Sequence, residues 1–292
     1  MMLKMYKQVI DLQIKDPQDD GATKRLLKQY IPDVRFDDSV SQNSAFVIVI
    51  EEGEPFYQTS PKGVVYRTPE INRGDVMAVV SRHAEYLWAN KGVYSVHSSS
   101  INIDGKTILI PGRSGAGKTT LMMNLVKNFP QAKLISGDRT LVDGREIVGG
   151  TKLLNFIASS LREEFPDLIK ILDTYTVGDR IRLDQEHSPF SYQQEPTNIN
   201  AIVYPQKHPG KFTDQELKGI PRLTRLVYQG HHFLDEFPRL LLGIMEPLST
   251  PVTQEDRKRV LAKIKDLTDN TPSYVIAGNL VDMVDFIERE IL

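Results

Sequence analysis

The sequence predicts an α/β protein: a mixed sheet carrying a phosphate-binding (P-loop) turn and flanked by helices, with a smaller β-rich α+β domain ahead of it. Three observations lead there. Strand-sized apolar runs alternate with helix-sized periodic ones from residue 93 onward, the pattern of α/β architecture. Two Asp-Gly turns, Asp104-Gly105 and Asp143-Gly144, lie between apolar runs and put antiparallel hairpins into that sheet. A glycine-rich segment sits between a short apolar strand and a helix. A chain of 292 residues accommodates about two domains, and the change of pattern divides it into a small β-rich domain, 1–90, and a P-loop domain, 91–292.

In chain order, Ala45 to Ile50 is continuous and β-branched, Gly63 to Tyr66 is a shorter run, and the charged turn Glu51–Glu54 between them suggests a small antiparallel unit. Asp75 to Leu87 places Val76, Met77, Val80, Tyr86 and Leu87 near helical spacing, with Asn90-Lys91-Gly92 as its stop. Val93 to Ile103 reads as a strand with an unusual Ser98-Ser99-Ser100 insert, and Thr107 to Ile110 as a fully apolar one. Thr119 to Asn128 reads as a helix and Ala132 to Ser136 as a strand. Farther on, strands are expected at Arg180–Leu183, Ile199–Tyr204 and Tyr274–Ala277. Helices are expected at Leu153–Glu164, at Gln215–Phe237 with a break near Pro221, at Thr253–Leu267 and at Leu280–Leu292.

Composition narrows the function classes. A hydrophobic share of 40% and a charged share of 25% are ordinary globular usage. A net charge of −2 gives no global field to hold nucleic acid. The absence of cysteine excludes disulfides, thiolate metal sites and a cysteine nucleophile. The first residues, MMLKMYKQVIDLQIKD, interrupt apolar residues with charges, unlike a signal peptide, and no apolar run approaches a membrane span. These observations lead us to expect a soluble cytoplasmic protein without nucleic-acid or membrane partners.

The strongest motif is Gly112-Arg113-Ser114-Gly115-Ala116-Gly117-Lys118-Thr119, which fits GxxxxGK[ST], with Thr120 next in line. Its glycines let the backbone wrap oxygen atoms without Cβ clashes. Successive N–H groups and the helix N-terminus then face a phosphate. Lys118 offers a mobile charge to the β and γ phosphates, and the Thr119 hydroxyl a ligand for Mg²⁺. The residues Gly112 to Thr120 are therefore the expected nucleoside-triphosphate-binding set, with the Arg113 side chain pointing outward. Asp138 follows an apolar strand, where a carboxylate can bind Mg²⁺ or accept a proton. His97 can act as base, contact the γ-phosphate or orient Asp138. Arg139 is placed either to neutralise phosphate or to face solvent. His231 and His232 diverge by about 100° on a helix and read as surface residues. Lys207-His208-Pro209-Gly210-Lys211 reads as a solvated basic loop, with substrate recognition as the alternative.

The stretch from His97 through Ser98-Ser99-Ser100-Ile101-Asn102-Ile103-Asp104-Gly105-Lys106-Thr107-Ile108-Leu109-Ile110-Pro111 to Gly112, with the loop that follows, resembles the core of the HPr kinase/phosphorylase family. That family has a His opening a strand, a hairpin, and a second strand running into G-x-S-G-x-G-K-[ST]. Its strand about twenty residues past the lysine ends in Asp-Asp. Here Leu134-Ile135-Ser136-Gly137-Asp138 stands at that place, with only the second acid kept. The likeness covers residues 93–150, extends to the C-terminus by element order and does not reach 1–90. The later IPVRPGRN-like signature is missing; Gly219-Ile220-Pro221-Arg222-Leu223-Thr224-Arg225 is a poor match, which argues against HPr as substrate. The chain looks most like the divergent kinases that phosphorylate serine in precursor peptides, such as those of lasso-peptide clusters. The resemblance implies a fold shared with phosphoenolpyruvate carboxykinase. It also implies an ATP- and Mg²⁺-dependent kinase acting on a hydroxyl, most readily serine, of a peptide, protein or small metabolite. Catalytic roles would fall to Asp138, His97 and Lys118, and metal binding to Thr119 and Asp138. It leaves homo-oligomeric assembly open. Two alternatives remain: a nucleotide-gated binding module without transfer, motivated by Gly137, and a bifunctional kinase/phosphorylase.

Overall fold

The computed structural model describes residues 1–15, 20–36, 46–166, 176–177, 179–183, 185, 188–230 and 252–292. The chain divides into two compact units: Met1–Tyr94 with His231–Ala262, and Ser95–Gly230 with Lys263–Leu292.

In the first unit the elements run β1 (Met2–Met5), β2 (Gln8–Ile14), α1 (Asp20–Tyr30), β3 (Arg35–Phe36), β4 (Phe46–Glu52), β5 (Phe56–Ser60), β6 (Gly63–Thr68) and α2 (Arg73–Ala89). The six strands form one sheet in the order β3-β1-β2-β4-β6-β5. The two strands expected here, β4 and β6, pair in parallel, not as the antiparallel unit expected. The reason is β5, a strand the sequence reading missed. It pairs antiparallel with β6 and so consumes the reversal between the two. Its exposed-intermediate alternation has no apolar face to signal it. Ile10, Leu12, Ile48, Ile50, Val64 and Tyr66 bury the sheet's inner face, with Leu27 of α1 and Val76, Val79 and Val80 of α2 also buried. Asn72 caps α2 by accepting from the Asp75 N–H at 2.9 Å, and Gly92 (φ 71°) follows its end.

The second unit contains β7 (Val93–Ile103), β8 (Lys106–Pro111), α3 (Lys118–Asn128), β9 (Lys133–Ser136), β10 (Arg139–Asp143), β11 (Glu146–Gly150), β12 (Leu154–Ile157), α4 (Ala158–Glu164), β13 (Thr176–Val177), β14 (Arg180–Leu183), β15 (Thr197–Lys207), β16 (Thr213–Glu216) and α5 (Ile220–Gly230). After them come α6 (Gln254–Asn270), which has residues in both units, then β17 (Ser273–Gly278) and α7 (Leu280–Glu290). The main sheet runs β11-β10-β7-β8-β15-β17-β16, with β9 also on β7 and β11 also on β15. It is mixed, as expected: β8-β15 and β15-β17 are parallel, while β7-β8 and β16-β17 are antiparallel. Asp104 (φ 50°) and Gly105 (φ 81°) make the β7-β8 hairpin turn, and positive φ at both positions is what the Asp-Gly pair supplies. Ile101, Ile108, Leu121, Met122, Leu125, Met283 and Ile287 belong to the core of this unit.

Two expected helices are partly strand. Leu153–Glu164 divides into β12, paired with β14, and the shorter α4. Gln215–Phe237 is strand to Glu216 and helix from Ile220; residues 231–237 lie outside the described set. In both, an edge-strand partner distant in sequence overrides a helical apolar spacing. Among the described residues no helix is long and apolar enough to cross a membrane.

Candidate functional site

The register of the β7-β8 hairpin builds the site. Ser98 stands opposite Pro111, so His97 meets the start of the glycine-rich loop, where its carbonyl accepts from the Gly112 N–H at 3.3 Å. The loop then turns from the end of β8 into α3. Gly115 (φ 83°) and Gly117 (φ 94°) adopt left-handed backbone, and Gly117 is the N-cap of α3. A Cβ at Gly117 would also lie 3.1 Å from the Lys207 Cβ, so glycine is required twice over.

Lys118, the first residue of α3, is 6% exposed. Its Nζ donates to the carbonyls of Gly112 at 2.7 Å and Arg113 at 3.2 Å. Burial lowers its pKa from 10.5 to about 8, and the Asp138 carboxylate acts in the opposite direction.

Asp138 sits in the bend between β9 and β10, as its strand-end position predicts. Its carbonyl accepts from the Ser98 N–H at 3.1 Å, fastening the bend to β7. The His97 Nε2 is 3.7 Å from the Asp138 Oδ1, and both side chains are part-exposed (27% and 46%). That distance is too long for a hydrogen bond but serves an ion pair when the imidazole is protonated.

The serine triplet of β7 explains itself here. Ser98 Oγ donates to Thr140 Oγ1 at 2.7 Å, Ser99 Oγ to the Gly137 carbonyl at 2.8 Å, and Ser100 Oγ pairs with Ser136 Oγ at 2.8 Å. All three serines are fully buried. The hydroxyls form a satisfied polar layer under the bend that carries Asp138. Gly137 is held from the other side: a Cβ there would lie 2.1 Å from the Leu153 carbonyl oxygen. No side chain fits, so this backbone has no room for an acid beside Asp138.

His97, Ser114, Gly115, Gly117, Lys118, Thr119, Thr120 and Asp138 all line one cavity of about 420 Å³. The sequence reading missed Asn155 of β12 and Arg180 of β14, which line it too. Their strands carry no motif, and only pairing of β12 with β14 brings them here. Lys207, read as part of a solvated loop, also faces this cavity. Among the described lining residues three cations, Lys118, Arg180 and Lys207, stand against one carboxylate, Asp138. A surplus of positive charge around a cavity raises the local concentration of anions. Gly112, Arg113 and Ala116 line a different cleft. Arg113 is exposed, as expected, with its guanidinium 4.6 Å from the Tyr228 ring centroid. Arg139 is half-buried and is not among the residues lining the cavity. His208 Nδ1 accepts from the Gly210 N–H at 2.9 Å, and His231 and His232 lie outside the described residues.

No group of three or more His, Cys, Asp or Glu side chains suited to hold a metal occurs among the described residues. Thr119 and Asp138 line the cavity together with the oxygen-bearing side chains of Ser114, Thr120 and Asn155. No protein-family model matches the chain, and no curated protein matches it either.

Proposed function

We propose that this protein is a P-loop phosphotransferase of the HPr-kinase-like type. It would move the γ-phosphate of ATP to a hydroxyl, most readily a serine, on a peptide, protein or small metabolite. The observation that carries the reading is that the glycine-rich loop, Lys118 and the His97–Asp138 pair share one cavity with a surplus of cations. In this reading the N–H groups of the loop hold the β and γ phosphates, and Lys118 exchanges the Gly112 and Arg113 carbonyls for phosphate oxygens. Arg180 and Lys207 take up charge on the transferred group. Thr119 and Asp138 would hold Mg²⁺, which when bound supplies charge neutralisation between the β and γ oxygens. The acceptor oxygen bonds to phosphorus as the bond to the β-bridging oxygen breaks, and ADP leaves. The hydroxyl proton passes to Asp138 or His97, the two bases of the cavity.

ATP labelled on its γ-phosphate, incubated with Mg²⁺ and an extract of the source cell, tests this. Label on a protein, peptide or metabolite with wild type, and none with Lys118→Ala, is the expected result. Label transferred equally by Lys118→Ala overturns the assignment. The closed packing at Gly137 favours a second reading, a nucleotide-gated binding module without transfer. In that case ATP alters partner affinity and no labelled acceptor forms.

A further inference from the structure

A second cleft, of about 300 Å³, borders the first half of the glycine-rich loop and shares no lining residue with the cavity described above. Two arginine–tyrosine pairs shape it. The Arg225 guanidinium lies 5.3 Å from the ring centroid of Tyr204, and Arg113 lies 4.6 Å from that of Tyr228. Tyr204 is buried and rigid within β15, whereas Tyr228, on α5, is exposed. Among the described residues the lining contains no carboxylate. Among the described residues neither guanidinium makes a hydrogen bond or an ion pair; each lies over the ring of its tyrosine. Arg222, one turn earlier on α5, shows the contrast: it spends its donors on the carbonyls of Leu217 and Thr268.

A guanidinium stacked on an aromatic ring keeps its in-plane N–H edge for an acceptor, and that edge fits a carboxylate or a phosphate with two parallel bonds. Stacking also orders the side chain beforehand, so less rotamer freedom is lost on binding. Two such guanidinium groups around one cleft, with no carboxylate among its described lining residues, make a preorganised setting for an oxyanion.

We propose that this cleft binds a small carboxylate- or phosphate-bearing molecule through Arg225 and Arg113, independently of the nucleotide phosphates. Calorimetric titration of the full chain with succinate and, separately, with inorganic phosphate tests it. At least one probe is expected to saturate. Arg225→Gln should weaken that probe about tenfold, while Lys118→Ala leaves its affinity unchanged. Arg225→Lys keeps the charge but not the fork, and should lose most of the binding as well. It also serves if the glutamine variant does not fold. Saturation by succinate alone identifies a carboxylate ligand, and by phosphate alone a phosphorylated one; either upholds the site. Failure of both probes at tens of millimolar overturns it. So does binding that Lys118→Ala abolishes and Arg225→Gln spares, because the anion would then sit on the glycine-rich loop.

Discussion

His83 and Lys118 are both buried titratable groups, and burial lowers the pKa of both, His83 from 6.5 to about 4 and Lys118 from 10.5 to about 8. Their surroundings make them opposites. His83, on α2 of the first unit, stacks on Phe46 with ring centroids 5.4 Å apart, and its Nδ1 donates to the Val79 carbonyl at 2.8 Å. Its Nε2 lies 3.4 Å from the hydroxyls of Tyr57 and Thr59. A neutral imidazole with one donor and one acceptor nitrogen satisfies that setting. Lys118 instead faces a cavity with Asp138, Arg180 and Lys207, and its donors rest on two loop carbonyls that a phosphate can replace. A lowered pKa alone does not mark a site. What marks Lys118 is the open space and charge in front of it.

Four expected effects test that contrast. The largest concerns the cavity's rigid frame. Gly137→Asp should cost about 4 kcal/mol or more, because its Cβ would enter the Leu153 carbonyl oxygen. Thermal unfolding measures it. A stable variant with faster phosphate transfer would mean that the bend yields and that an acid pair is accessible to this fold.

The next concerns the sealed histidine. Between pH 6.5 and 4 the unfolded chain binds a proton at His83 that the folded chain refuses. Stability is therefore intact above pH 6.5 and falls by about 3 kcal/mol as the pH drops to 4. His83→Gln should flatten that part of the curve in urea titrations at successive pH values. An unchanged slope would place the acid sensitivity elsewhere.

Third, Thr140→Val should destabilise by about 2 kcal/mol, since it leaves the hydroxyls of Ser98 and Ser136 short of a buried partner. Its turnover should fall with little change in nucleotide affinity if the polar layer positions Asp138. A purely structural layer would shift stability alone.

The smallest effect concerns Lys118. The fall from 10.5 to about 8 means that the charged Lys118 costs the folded state about 3 kcal/mol below pH 8, a cost that lessens as pH rises from 8 to 10.5. Lys118→Met removes that cost together with two charge-assisted hydrogen bonds of about 1.5 kcal/mol each, so the two nearly offset at pH 7 and the net change should stay within about 1 kcal/mol. Differential scanning calorimetry reads it. In wild type, phosphate affinity should fall by up to tenfold per pH unit above 8, as the bound anion must bring back the proton. A flat profile there would show that Lys118 does not meet phosphate.

How legible the molecule was varied with the range of the physics. The segment from Val93 to Ser136 was readable nearly residue by residue: β7 matches its expected bounds, α3 and β9 differ by one residue at one end, and β8 by one residue at each end. Everything there is local. Asp-Gly closes the hairpin, glycines permit left-handed backbone, and the apolar runs have clear periods. The likeness of the His97–Gly112 stretch to HPr kinases singled out His97, a strand end singled out Asp138, and the glycine-rich motif Lys118 and Thr119; the hairpin register and the bend after β9 bring them to one cavity.

What the sequence concealed depends on partners far along the chain. β1 and β2 were not foreseen, because Lys4, Lys7 and Asp11 interrupt their apolar pattern. β12 carries an apolar spacing that also suits a helix, and its pairing with β14 decides between the two. That pairing brings Asn155 and Arg180 to the cavity. Gly137 is the sharpest instance. In sequence it reads as a missing acid, whereas in the fold it is the one residue small enough to pass the Leu153 carbonyl. By itself the sequence determined the hairpin, the glycine-rich turn and the helix behind it, since short-range backbone preferences suffice for them. Tertiary structure decided which distant strands close the cavity, how many cations face Asp138, and why no second carboxylate stands beside it, because close packing is a property of surfaces that meet only once the chain has folded.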